Sequence, residues 1–116
     1  MGRSPRPPDA AANIRGMFAP AIPHMIIFVE IAGWTGATLI LLAYLLLSIG
    51  RLTGRSPVYQ WMNVVGAAGF TINGWWHGAL PSASLNVVWM MIGAFALWRI
   101  AVGRRATDDA AERGPA

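Results

Sequence analysis

With 116 residues, 55% of them hydrophobic and 12% charged, the chain holds one domain and has roughly half the charged share of a soluble fold. Its net charge of +4 rests on arginine alone, and the absence of cysteine excludes disulfides, zinc–thiolate sites and iron–sulfur clusters. The arginines gather at the edges of apolar stretches and are not interleaved with aromatics on one face, which excludes a nucleic-acid surface and leaves anionic lipid headgroups as the basic partner.

Residues 1–23 carry Pro5, Pro7, Pro8, Pro20 and Pro23 with few apolar neighbours. They are predicted to form a disordered arm that ends in a short interfacial segment around Ile14 to Pro23. The apolar run that follows starts too late and runs too long for a cleavable signal peptide, and neither end carries a lipidation motif.

Met25 to Ile49 is the first expected membrane span, since roughly 20 helical residues cross a bilayer. Glu30 is its only formal charge, and Gly50 is suited to cap its C-terminus. After the loop Arg51 to Ser56, the Ser56-Pro57 pair reads as an N-cap and first turn that start a second helix reaching His77. The connection Gly78-Ala79-Leu80-Pro81 is short enough to make the second and third helices antiparallel neighbours. Ser82 to Val102 is the third span, and no formal charge stands between Ser56 and Trp98. The polar tail 103–116 is predicted to be disordered.

The domain division is therefore an arm (1–23), a transmembrane domain (24–102, spans about 25–49, 57–77 and 82–102) and a tail (103–116). The expected fold class is an all-α membrane protein, a three-transmembrane-helix bundle. Arg51, Arg55, Arg99, Arg104 and Arg105 fall on one side and only Arg15 lies close to the other, which places the N-terminus outside and the C-terminus inside.

Polar and small residues recur three or four apart, on one face of each span. They are Glu30, Gly33, Ala37, Tyr44 and Ser48 in the first, Tyr59, Asn63, Gly66, Phe70, Asn73 and His77 in the second, and Ser82, Asn86, Trp89, Gly93 and Ala96 in the third. Gly33, Ala37, Gly66 and Gly93 read as packing positions where backbones approach. The amides admit two readings. Each is either interhelical glue, or Asn63, Asn73 and Asn86 line one small cavity that recognises a hydroxylated or amide-bearing solute.

Glu30 stands near the start of its span, either as an interface residue or as a proton-coupling carboxylate. His77, beside Trp75 and Trp76 at a helix end, is a rim group or a proton relay. Trp61, Trp75, Trp76 and Trp98 suit an aromatic belt, while Trp34 and Trp89 lie deeper. His24 and His77 without carboxylates in register make no metal site. No nucleophile–base set, phosphate-cradling loop or paired catalytic carboxylates appear, so no enzyme and no cofactor are expected.

Tyr59-Gln60, Asn63, Gly66-Ala67, Asn73, His77-Gly78, Pro81-Ser82 and Leu85-Asn86, with Glu30-Ile31-Ala32-Gly33-Trp34 and Tyr44, resemble a family of small bacterial three-helix membrane proteins, uncharacterised and sometimes labelled permeases. More distantly the layout is similar to the SemiSWEET and PQ-loop half-transporters, whose third helix opens with a Pro followed five residues later by an Asn, as Pro81 and Asn86 stand here. That resemblance implies a sugar-contacting role for Asn86 and a stacking role for Trp75 or Trp76, in a pocket between two protomers. The chain departs from the group at its Pro-Gln hinge, where Tyr44-Leu45 stands instead.

The resulting expectation is a multi-pass protein of the bacterial inner membrane that forms a homodimer in the lipid bilayer and binds or passes a small polar solute at the dimer interface. Its rivals are a structural or assembly subunit of a larger membrane complex, and a proton-coupled efflux subunit that uses Glu30.

Overall fold

The computed structural model describes residues 2–7, 9–18 and 22–115. Among them the chain is all-α: α1 (Ala10–Phe18), α2 (Ile22–Ser48), α3 (Pro57–Trp76) and α4 (Leu80–Arg113). This corrects the expected three-transmembrane-helix bundle. The described residues form four helices, and two of them, α2 and α4, are long and apolar enough to cross a membrane. α3 has the length, but Gln60, Asn63, Asn73 and its glycines dilute its apolar content.

The position of α3 accounts for that composition. It packs along both α2 and α4, which hardly touch each other. A helix lined on two sides by neighbours can replace bulky apolar residues with glycines that permit close approach and with amides that find partners. The pairing runs antiparallel in both cases. Gly33 meets Asn73 while Ile40 meets Gly66, and Gly74 meets Ala83 while Gly93 meets Val64.

The core is a thin seam of small residues. Among the described residues its buried hydrophobics are Val29, Ala43, Ala67 and Ala83, and no large side chain is fully buried. Gly33, Gly36, Gly66, Gly69, Gly74 and Gly93 complete it. At Gly36 an added Cβ would stand 2.6 Å from the Gly66 carbonyl oxygen, and at Gly69 it would run into the Ala32 carbonyl. Both obstacles are backbone, so α2 and α3 approach this closely only because side chains are absent there.

Two helices end in the same device. Gly50, with φ 76°, lets Arg51 N–H donate to the Leu46 carbonyl at 2.9 Å and its own N–H donate to Leu47 at 3.1 Å. Gly78, with φ 71°, does the same after α3, where Ala79 N–H reaches Gly74 at 2.8 Å and Gly78 N–H reaches Trp75 at 3.2 Å. These are Schellman motifs, which turn the chain back on itself and satisfy the last carbonyls.

The two ends of the chain differ from the sequence reading. Within the arm expected to be disordered, Ala10–Phe18 is helical, with Ala12 and Asn13 N–H groups bonding to the Asp9 carbonyl. Residues 19–21 of the expected interfacial segment lie outside the described residues. At the other end α4 continues through Gly103 to Arg113, where the tail was expected to be disordered. One glycine within a helix costs only about 1 kcal/mol, and the alanines and arginines around it favour helix.

Candidate functional site

Along the α2–α3 seam the side chains grow in size toward the start of α2 and the end of α3. Gly36 faces Gly66 and Gly69; one turn on, Gly33 faces Asn73; one turn further, Glu30 faces His77. Helical spacing produces this ladder, because Gly69, Asn73 and His77 follow one another at steps of four, as do Glu30 and Gly33 at a step of three.

Asn73 donates through Nδ2 to the Val29 carbonyl of α2 at 3.1 Å. Gly33 makes the space for it, since a Cβ there would stand 2.6 Å from that same Nδ2. This is a hydrogen bond between helices, and it places the Asn73 backbone and the next turn of α3 against Glu30.

His77 Nε2 lies 3.3 Å from Glu30 Oε1, with both side chains about half exposed. Its Nδ1 lies 2.9 Å from the Asn73 carbonyl. A carbonyl oxygen only accepts, so Nδ1 carries the hydrogen of that contact and Nε2 is the ring nitrogen that faces the carboxyl. The contact gives the one acidic residue of α2 a polar partner on the neighbouring helix. Among the described residues no third His, Asp or Glu joins these two as a metal-ligating group.

The other candidates lie apart. Asn63, partly buried, donates to its own helix at the Tyr59 carbonyl, 2.8 Å away. Asn86 likewise donates to the Ser82 carbonyl at 2.9 Å. It sits in an open cleft of about 270 Å3 whose walls are Ile40 of α2 and Leu85 and Trp89 of α4, with neither Asn63 nor Asn73 in the lining. Of the three amides, only Asn73 bonds to another helix. Trp75 and Trp76 both point outward, 72% and 41% exposed, at the turn after which α4 begins.

Sequence reasoning paired neither Glu30 with His77 nor Asn73 with Gly33. The pairing depends on the antiparallel register, and the short Gly78–Pro81 connection signals only the direction. Gly36, Gly69 and Gly74 also went unassigned, although Gly33/Gly36 and Gly66/Gly69 each repeat at a step of three, a signal of close approach that the sequence does carry. Tyr44 and Ser48, placed on the polar stripe of the first span, are exposed. The buried face of α2 instead runs through Val29, Gly33, Gly36 and Ala43.

A family model matches residues 29–105, from the Glu30–His77 region to the arginines of α4. The family is uncharacterised, and the match shows no link to the SemiSWEET and PQ-loop group. Neither the curated proteins nor the solved structures include a match to the chain. The match spans well over half of the sequence and takes in the whole packed seam of α2, α3 and α4, and the chain belongs to this uncharacterised family.

Proposed function

We propose that the chain works inside a bacterial inner membrane as a multi-pass protein, with α2 and α4 crossing the bilayer and α3 held between them, and that it binds or passes a small polar solute at a site completed by a second copy. The observation that carries this reading is the cleft between α2 and α4, where one amide stands among apolar walls. Asn86 uses Nδ2 within its own helix, and among the described residues nothing donates to its Oδ1. An acceptor left available beside Trp89 and Ile40 suits a hydroxyl or amide donor on a solute. The cleft is small and open, and in this reading a second copy closes it.

Glu30 and His77 place a second polar pair on the same framework, near the start of α2 and the end of α3. The test is solute-induced thermal stabilisation and liposome uptake of wild type and Asn86→Ala across a panel of sugars, polyols and amides. A variant that folds and binds or moves every solute like wild type would sink the reading.

A second reading, a structural or assembly subunit, is favoured by a separate observation. The broad apolar rims of α2 and α4 are bare, with Trp34, Leu41 and Met91 each about two-thirds exposed. Co-purification with a larger membrane protein, together with no response to any solute, would decide for it.

A further inference from the structure

The arginines read as membrane-flanking anchors are brought together by the fold. Arg55, from the loop between α2 and α3, and Arg99 and Arg104, from α4, line one open cleft of about 700 Å3. Ile92, Phe95 and Ile100 form its apolar wall. On α4 these residues recur at steps of three and four, so the apolar wall and the basic mouth are successive parts of one helix face. Phe95 and Ile92 are more than half exposed there.

Two further observations define what the cleft fits. Among the described residues the one ion pair is Glu30–His77, so no carboxylate stands at ion-pair distance from Arg55, Arg99 or Arg104. Asp108 lines the cleft beyond Arg104, a single anion against three cations. The depth also matches. From Leu80 to Arg99 the helix rises about 30 Å, the thickness of a bilayer's hydrocarbon core, so Arg99 and Arg104 arrive where headgroup phosphates lie.

We propose that this cleft is a binding site for an anionic phospholipid, its phosphate held by Arg55, Arg99 and Arg104 and one acyl chain lying along Ile92 and Phe95. The proposal rests on the membrane reading above. Guanidinium groups present paired N–H donors that match phosphate oxygens, and each basic residue at an anionic membrane surface contributes about fivefold in affinity. A soluble phosphate would engage the arginines but leave the apolar wall uncovered.

The experiment uses the full chain, purified in phosphatidylcholine-containing micelles and titrated with phosphatidylglycerol, with bound lipid read by native mass spectrometry. Wild type is expected to retain phosphatidylglycerol over phosphatidylcholine by about tenfold or more, and Arg55→Gln, Arg99→Gln and Arg104→Gln each to lose about fivefold. Phe95→Ala should weaken phosphatidylglycerol while leaving glycerol phosphate binding unchanged. Equal retention of the two lipids by wild type overturns the proposal without any variant having to fold. So does displacement by glycerol phosphate at the concentration where phosphatidylglycerol itself competes, which assigns the cleft to a soluble anion. Failure of the membrane reading shows separately, as release of the chain from native membranes by alkaline carbonate. A carbonate-resistant chain with no lipid preference refutes only the lipid site.

Discussion

Glycine at Gly36 and glycine at Gly93 face different obstacles, and the difference sets what a methyl group costs at each. The Cβ of Gly36→Ala would meet the Gly66 carbonyl, which can yield only if α2 and α3 move apart. The Cβ of Gly93→Ala would meet a methyl of Val64 at 2.7 Å, and a side chain can change rotamer. Gly36→Ala and Gly69→Ala are therefore expected to lose about 1–3 kcal/mol of stability, the range for overpacking, and Gly93→Ala clearly less. Unfolding in mixed micelles measures all three, and equal losses would contradict the backbone-contact account. Glu30 and His77 illustrate the complementary case. Each is an awkward residue beside an apolar helix, and the pair they form is legible in the sequence only as two isolated oddities, because nothing along the chain states that they lie 3.3 Å apart.

At the scale of the element, the turns were easier to read than the helix lengths. Gly50 and Gly78 stand where a left-handed residue is needed, and φ values of 76° and 71° follow. Gly78→Ala is expected to cost about 1–2 kcal/mol, since an L side chain in that region clashes with the carbonyl that follows it. Gly54→Ala, in the loop with open space around it and no positive φ, is the control and should be close to neutral. Thermal melts of the two variants in one detergent separate strain from loss of glycine as such. The extension of α4 to Arg113 went unread because Gly103 looks like a stop, whereas its backbone stays helical and the cap falls to Gly114 with φ 67°. The amides of α3 likewise fit either of two roles in the sequence. Only the packed register shows Asn73 bonding to α2 while Asn63 stays on its own helix.

For the whole molecule, the governing fact is how little is buried. The described chain encloses Val29, Ala43, Ala67 and Ala83 and leaves Trp34, Leu41, Leu85, Met91 and Phe95 bare, a surface that water alone would not tolerate. The chain is accordingly expected to stay in the membrane fraction through alkaline carbonate and to leave it only with detergent. Recovery in the soluble fraction would refute insertion.

Composition and apolar run length determined by themselves that the chain is helical and that its outer faces are apolar, because both properties are local and additive along the sequence. The helix ends at Gly50 and Gly78 belong to the same class. Tertiary structure alone decided that α3 lies between α2 and α4, that Glu30 meets His77, and that Arg55 joins Arg99 and Arg104 in one cleft. Each of these depends on the register between helices, which close contacts at Gly36, Gly66 and Gly69 fix for α2 and α3 and at Gly74 and Gly93 for α3 and α4, and register is a property of the packed pair that neither helix carries alone.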